Sequence, residues 1–327
     1  MQKESSLVVV LGTGGTIAGL AATPAESLAY RAAQIGVADL VAAAPAAASV
    51  GFETEQVAQL DSKDMDFATW RALALRVAYH AARPEVSGIV VTHGTDTLEE
   101  TAYFLARVVA LDKPVVLTAA MRPASSLDAD GPRNLGDAIV LATQAGWRGV
   151  AVVLAGRVHA ARDVRKVHPH RLDAFSSGEA GALARIGGGR VRARRDRPAA
   201  EGGVGIEVLP EDVSAWPWVE IVTSVAGADG RNVDLLVRAG VDGIVVAGTG
   251  NGSLHARLGA ALAMAGKRGV AVLRSTRCLD GSILASGADA LPSGADLTPV
   301  KARIELILSL LVERSRSRKT SVRHDRR

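Results

Sequence analysis

The chain has 327 residues, of which 48% are hydrophobic, 22% are charged and only 3% are aromatic, a composition typical of a globular protein with an Ala-, Val- and Leu-rich core and long enough for two domains. The last fourteen residues hold seven Lys or Arg against one Asp, so the formal charge of +4 arises there and the rest is slightly acidic, with 31 basic and 33 acidic residues. This balance argues against a nucleic-acid-binding face on the folded part.

Neither a membrane span nor an internal disulfide is expected. The apolar run over residues 7–11 is too short for a signal peptide and ends in glycines, and no apolar stretch approaches the roughly 20 residues that cross a bilayer. The chain has a single cysteine, Cys278, which excludes an internal disulfide. We therefore expect a cytoplasmic protein with no membrane partner, although a chain that had lost a leader would look the same.

A glycine-rich turn follows the first apolar run. Residues 7–11 are typical of a strand buried on both faces of a parallel sheet, and ligands bind beyond the carboxyl ends of such strands. A dinucleotide fingerprint would need glycine in place of Ile17, and a P-loop would need a lysine near the turn. The turn is therefore either purely structural or presents the hydroxyl of Thr13 or Thr16 to a substrate carbonyl.

Two polar segments come next. Tyr30 stands in a polar loop, and a surface tyrosine is its simplest interpretation. Residues 61–66 lie between a strand and a helix predicted over residues 67–82, where free helix N–H groups suit a substrate carboxylate. Asp64 or Asp66 is also suited to capping that helix.

Another threonine, this one beside an acid, follows the strand over residues 88–92. The pattern Thr97-x-x-Glu100 predicts a capping box that opens a helix over residues 98–109. Capping leaves Thr95 and Asp96 unexplained, just beyond the strand end. A threonine beside an acid at the same sheet edge as Thr16 favours catalysis.

Strands and helices continue to alternate along the rest of the chain. Lys166 lies in a polar run and on its own would be read as solvated, while His168 and His170 are too sparse for a metal site. The pattern predicts an α/β fold: a larger N-terminal parallel-sheet (flavodoxin-like) catalytic domain and a smaller C-terminal α/β domain. We expect these at residues 1–188 and 218–313, with a glycine-, arginine- and proline-rich linker at 189–217 and a disordered basic tail at 314–327.

The turns resemble those of the bacterial-type L-asparaginase family, in order and spacing, over nearly the whole chain except the tail. The segments that carry the resemblance are Thr13-Gly14-Gly15-Thr16-Ile17-Ala18-Gly19, Thr92-His93-Gly94-Thr95-Asp96-Thr97-Leu98-Glu99-Glu100, Ala120-Met121-Arg122-Pro123, Asp130-Gly131-Pro132, Arg162-Asp163-Val164-x-Lys166 and Gly250-Asn251-Gly252. The resemblance implies catalytic roles for Thr16, Tyr30, Thr95, Asp96 and Lys166, and substrate-binding roles for Gly15, Ser62, Lys63, Gly94, Thr95, Asp96 and Asn251.

The implied reaction is hydrolysis of the L-asparagine side-chain amide to L-aspartate and ammonia through a threonine acyl-enzyme, with no metal or organic cofactor. A threonine hydroxyl needs a base, and Lys166 can serve only if its pKa is lowered, which burial without full charge compensation would do. Backbone N–H groups in the Gly94-Thr95 turn are candidates for the oxyanion site. The resemblance also implies a homo-oligomer, dimer or tetramer, in which Asn251 completes a neighbour's site.

Two departures from the family pattern bear on specificity. Lys63 stands where many relatives carry glutamine, and the glutamate that many relatives donate across the interface has no clear counterpart near Asp280. A glutaminase-asparaginase, the amidotransferase subunit with the same two-threonine core, and a catalytically silent amino-acid-binding module are the alternatives. The chain lacks the long N-terminal extension usual in the amidotransferase subunit, and a binding module would not need a lysine base.

Overall fold

The computed structural model describes residues 6–23, 29–44, 50–196, 203–284, 291–294 and 296–324. The chain divides into two compact units, residues 1–206 and residues 207–327. In the described part, no helix is both long and apolar enough to cross a membrane.

The first unit has twelve strands and four α-helices in its described residues. Its strands are β1 (Ser6–Gly14), β2 (Leu20–Ala21), β3 (Tyr30–Arg31), β4 (Val50–Leu60), β5 (Val86–Thr92), β6 (Pro114–Thr118), β7 (Gly149–Leu154), β8 (Arg157–Ala160), β9 (Arg165–Lys166), β10 (Phe175–Ser176), β11 (Ala184–Gly187) and β12 (Arg190–Ala193). Its helices are α1 (Val37–Ala43), α2 (Phe67–Ala81), α3 (Leu98–Val108) and α4 (Gly131–Ala142).

Eight of these strands form one sheet in the order β12-β11-β8-β7-β6-β5-β1-β4. The five strands from β7 to β4 are parallel, and β8, β11 and β12 add antiparallel pairings at the other end. Residues 8–11 of β1 are fully buried, because a central parallel strand is covered on both faces. The predicted α/β class with a parallel-dominated sheet is therefore confirmed, with the antiparallel end as an addition.

The second unit is a smaller α/β assembly around a three-stranded parallel sheet in the order β13-β14-β15. Its core contains buried side chains from the sheet and both short helices, such as Val233, Ile244, Val246 and Leu262. The elements are β13 (Val219–Thr223), α5 (Arg231–Ala239), β14 (Gly243–Gly248), α6 (Ala256–Lys267), β15 (Ala271–Thr276) and α7 (Pro299–His324).

Two segments differ from the expected organisation. Strand β12 lies inside the segment predicted to be linker, yet it pairs with β11 along its whole length and so extends the large sheet.

Helix α7 continues to His324, although a disordered tail is expected from residue 314. The buried face of α7 reaches Leu311, and the next turn is tied down by Arg314, whose guanidinium donates to the Asp242 carboxylate and to the Ala215 carbonyl. The charged composition of residues 314–327 gives no indication of these contacts.

The Arg314 contacts give a testable expectation for the end of the fold. Arg314→Ala should lower the free energy of unfolding by about 1 kcal/mol, since a half-buried ion pair with an added backbone hydrogen bond is lost. Urea denaturation measures this. Arg257→Ala, an exposed arginine on α6, is the matched control and should stay within about 0.5 kcal/mol of the parent chain. Equal stabilities for the two variants would mean that the Arg314 contacts contribute nothing.

Candidate active site

Three polar turns meet at one edge of the large sheet because β4, β1 and β5 are neighbours. Strand β1 pairs in parallel with both β4 and β5, so the carboxyl ends of all three strands lie together. Thr16, Ser62 and Thr95 each follow one of these ends. Just before these turns, the Thr13 hydroxyl joins the ends of β1 and β5 by donating to the Thr92 carbonyl over 2.9 Å.

The backbones of these turns are in direct contact. A Cβ added to Gly15, whose φ is +80°, would lie 2.3 Å from both N and Cα of Gly94. A Cβ added to Gly94 would in turn lie 2.4 Å from the Ser62 Oγ. Only glycine allows this approach, and only glycine readily adopts the positive φ at Gly15. Gly15 and Gly94 are therefore required for the turns to meet, and Thr16 and Thr95 each come one residue later.

The Thr16 hydroxyl is paired with a tyrosine. Thr16 begins a single 3-10 turn, is nearly buried, and its Oγ1 lies 2.7 Å from the Tyr30 hydroxyl. Tyr30 is held there by the two-residue strands β2 and β3, in which it pairs with Ala21. The simplest interpretation of Tyr30, as a surface side chain, is therefore wrong.

A lysine joins the second threonine to the neighbouring acid. The Lys166 Nζ donates to Thr95 Oγ1 at 2.9 Å and to Asp96 Oδ1 at 2.6 Å. The pairing of β9 with β10 fixes the Lys166 backbone, and its N–H donates to the Glu99 carboxylate at 2.5 Å. The Lys166 side chain is 18% exposed and that of Asp96 is 52% exposed. The lysine is thus built into the site and is not a solvated surface group.

Ser62 connects the third turn to the second. Its Oγ accepts a hydrogen bond from the Asp96 N–H at 3.1 Å, and its carbonyl accepts one from the Thr97 hydroxyl at 2.8 Å. The predicted capping box is therefore wrong, since Thr97 makes no side-chain cap and bonds across to Ser62 instead. Asp66 does cap α2, accepting from the Thr69 N–H at 2.8 Å.

Comparison with known proteins covers both units. Residues 7–199 match the family described as "Asparaginase, N-terminal", and residues 218–321 match "Glutaminase/Asparaginase C-terminal domain". The chain belongs to the asparaginase family. The resemblance that the motifs indicate is therefore confirmed, and the activity class of this asparaginase is amide hydrolysis.

Individual relatives agree with this assignment. L-asparaginase 2 of Escherichia coli (strain K12) is 39% identical over 311 residues, covering 93% of this chain and 88% of that protein. The glutaminase-asparaginase of Pseudomonas fluorescens biotype A is 36% identical over 312 residues, covering 93% and 86%. A solved structure of a probable cytoplasmic L-asparaginase from Campylobacter jejuni has a TM-score of 0.87 at 36% identity, covering 93% and 95%.

Lys63 carries an exposed positive charge next to the site of this asparaginase. Its side chain is 63% exposed, and its Nζ lies 2.6 Å from the Asp61 carboxylate and 3.9 Å from that of Asp64. The hydrogen bond to Asp61 raises the pKa of Lys63, and the charges of Asp64 and Asp96 act in the same direction. The ammonium is therefore charged at neutral pH.

Asn251 lies in the second unit of the asparaginase, in the turn after β14. Its Nδ2 donates to the Leu284 carbonyl at 3.0 Å, and its Oδ1 accepts from the Leu284 N–H at 2.7 Å. An asparagine amide has two N–H groups and two lone pairs, so one of each has no hydrogen-bond partner among the residues that the structure describes. The role of Asn251 in a neighbour's site stays a prediction.

Two residues that lie next to the candidate site residues are not predicted from the sequence. Glu99 holds the Lys166 backbone, and its position in the first turn of α3 signals nothing more than a charge at a helix start. His93 is fully buried and its Nδ1 lies 2.7 Å from the Gly94 carbonyl. A histidine at a strand end has no pattern that distinguishes this role. Among the described residues, no group of three His, Cys, Asp or Glu side chains is placed to hold a metal ion.

His93 makes stability depend on pH. Burial lowers the pKa of His93 from its usual 6.5 to about 4, so the folded protein keeps it neutral while the unfolded chain takes up a proton below pH 6.5. Stability should therefore fall as the pH drops through 6.5, by about 2 kcal/mol near pH 5. Denaturant unfolding at about pH 7.5 and about pH 5 measures this loss.

The matching variant is His93→Gln, which removes the titrating group and keeps an amide donor. Its stability should change much less between the two pH values, whatever its absolute level. Both pH values lie above the usual pKa of 4.5 for glutamate. The pKa values of Glu53 and Glu55 are lowered further by Arg83 and Arg76, so these carboxylates contribute little to the change in stability between the two pH values. An unchanged pH dependence in the variant would mean that another group is responsible.

Proposed function

We propose that this asparaginase hydrolyses the side-chain amide of L-asparagine to L-aspartate and ammonia, with Thr16 as the nucleophile. The observation that carries the proposal is the position of Lys166, bonded to both Thr95 and Asp96 in the turn whose backbone touches the one that bears Thr16. A nucleophile in one turn and a base in the adjoining turn is the arrangement that acyl transfer requires.

In the first half of the reaction, Thr16 Oγ1 attacks the amide carbon and the amide nitrogen leaves as ammonia. The Tyr30 hydroxyl contacts the Thr16 hydroxyl and is the first group that can take part in its proton transfer. Lys166 is the base that accepts the proton through Thr95, and the same proton is returned to the departing nitrogen. Asp96 orients the lysine and offers a carboxylate to the substrate's α-ammonium.

The negative oxygen of the tetrahedral intermediate needs hydrogen-bond donors. Within the described ranges, the N–H groups of Gly94 and Thr95 make no hydrogen bond to the protein, and they lie in the turn next to Thr16. We assign the oxyanion site to these groups. In the second half, water attacks the carbon of the Thr16 ester and gives a proton to the same base. The base returns this proton to Thr16 Oγ1 as the bond between the acyl carbon and that oxygen breaks, so L-aspartate leaves and the hydroxyl is restored.

The substrate is a small amino acid, and glutamine is the second candidate because three relatives are named glutaminase-asparaginase. The test is ammonia release with asparagine and with glutamine at matched concentrations, together with detection of aspartate or glutamate. Faster release from asparagine supports the proposal, and faster release from glutamine replaces it with a glutaminase. Binding of either amino acid without release of ammonia would indicate a silent binding module.

A homo-oligomer, dimer or tetramer, is part of the proposal, with Asn251 of one subunit completing the site of another. The support is the family assignment, together with one N–H and one lone pair of Asn251 that are unpaired within the described part of the chain. Specific activity should fall when the protein is diluted to a concentration at which light scattering shows a monomer. A fully active monomer would contradict shared sites.

We also propose that the protein acts in the cytoplasm. The support is the solved relative described as a probable cytoplasmic L-asparaginase, whereas a relative from Haemophilus influenzae is named a probable periplasmic enzyme. Fractionation of cells that express the gene from its own start separates the two locations.

A further inference from the structure

We propose that Ser125 is a positioning residue for the reaction, acting through Tyr30; this inference rests on the proposed function. The Ser125 Oγ accepts a hydrogen bond from the Ala21 N–H at 2.8 Å. Ala21 in β2 is the residue that pairs with Tyr30 in β3. The serine is therefore two contacts away from the tyrosine hydroxyl that lies against Thr16.

The strands that carry Tyr30 have little support of their own. Strands β2 and β3 have two residues each and form a separate two-stranded sheet, which is too small to be stable by itself. Residues 33–35, just after β3, are bonded to the carbonyls of Gly15 and Ala18, and on the β2 side a neighbouring segment, residues 121–126, adds support at two points. Besides the Ser125 contact, the Ala124 N–H donates to the Gly19 carbonyl at 3.0 Å. Gly19 lies close under the Tyr30 ring, since an added Cβ would be 2.9 Å from its Cδ2.

The 121–126 segment is itself firmly held at its other end. The Asp130 carboxylate accepts hydrogen bonds from the N–H groups of Met121 and Arg122 at 3.0 to 3.1 Å. Asn134, buried on α4, donates to Asp130 at 3.0 Å and to the Ala119 carbonyl at 2.9 Å, and accepts from the Ala155 N–H at 3.1 Å. The segment is thus held by the main sheet and by α4, and the Ser125 hydroxyl connects it to β2 through the Ala21 N–H.

Ser126 provides a matched control beside Ser125. It is also a serine in the same segment and is buried, but its hydroxyl has no hydrogen-bond partner among the described residues. Ser126→Ala therefore removes the same atom without breaking a contact. Ser125→Ala removes the acceptor for the Ala21 N–H and should free the Tyr30 strands.

The first measurement is steady-state ammonia release from asparagine. Ser125→Ala should lower kcat roughly five- to tenfold and leave KM within about twofold, since a lost hydrogen bond shifts the placement of Tyr30 and not the substrate pocket. Ser126→Ala should match the parent enzyme, and Ser125→Thr, which keeps the hydroxyl, should restore most of the rate. Equal kcat for Ser125→Ala and the parent would overturn the inference.

A double-mutant cycle separates positioning of Tyr30 from a general structural effect. In a Tyr30→Phe background, Ser125→Ala should lower kcat by less than about 1.5-fold, because the hydroxyl that Ser125 positions is already gone. The full five- to tenfold loss in that background would overturn the inference.

Amide hydrogen exchange gives a readout that needs no substrate. The Ala21 amide should exchange roughly tenfold faster in Ser125→Ala and at the parent rate in Ser126→Ala. Unchanged exchange at Ala21 would contradict the positioning role even if the enzyme acted on another amide. A parent protein that releases no ammonia would contradict the proposed function alone, since the exchange result would still stand or fall separately.

Discussion

Thr16→Val should reduce turnover of asparagine by at least roughly 1000-fold, because the covalent route requires the hydroxyl that this change removes. Valine keeps the branched shape, so the nearly buried side chain still fills its place. The Tyr30 hydroxyl loses its partner at 2.7 Å, which affects one hydrogen bond and not the fold. Ammonia release under saturating substrate, with a circular-dichroism check of folding, measures the effect.

The control for this change lies three residues earlier, at the end of β1. Thr13→Val removes a buried hydroxyl that bonds the Thr92 carbonyl, so it should lower stability by about 1 kcal/mol and leave most of the activity. Substantial amidase activity in folded Thr16→Val would move the nucleophile to Thr95. A trapped acyl group located by mass spectrometry on the peptide with Thr95 would have the same meaning.

Lys166→Met should cause a loss of turnover similar to that of Thr16→Val, because the base that serves the site is gone. Lys166→Arg discriminates between a base and a mere positive charge beside Asp96. Arginine keeps the charge but does not give up its proton in proteins, so this variant should also be inactive. An active Lys166→Arg enzyme would show that only the charge matters.

Two further variants complete the lysine test. Lys267→Met changes an exposed lysine at the end of α6 and should leave the rate unchanged. The double variant Thr16→Val with Lys166→Met should be hardly slower than either single variant, since residues that act as one unit are not additive. A double variant slower by the product of the two single effects would mean that the residues act independently.

Part of the fold could be predicted because β1 contains a continuous apolar run, residues 7–11, that is followed by a glycine-rich turn. The strands predicted at residues 7–11 and 88–92 lie within β1 and β5. The order of strands could not be predicted, because the sequence of β1 carries no pattern that identifies β4 and β5 as its neighbours. That adjacency is what brings Ser62 to the turn of Thr95.

The site was predicted where motif segments carry the residues and missed where contacts depend on tertiary placement. Lys166 looks solvated in sequence because its run is polar, and only the β9–β10 pairing shows that it points at Thr95. Thr97 and Glu100 match a capping pattern, yet Ser62 offers the Thr97 hydroxyl a better partner from another turn. Ser125 has no local signal, since its partner Ala21 is 104 residues away along the chain.

The adjacency of β4, β1 and β5 also bears on the order in which the protein folds. The Thr13 hydroxyl reaches a carbonyl 79 residues further along the chain, and the Lys166 amine reaches a hydroxyl 71 residues back. Closing such long loops is slow compared with forming any one helix. No early folding intermediate can therefore contain the assembled site. During refolding from denaturant, the return of ammonia release should follow the slowest sheet-pairing phase, well after helical signal has recovered.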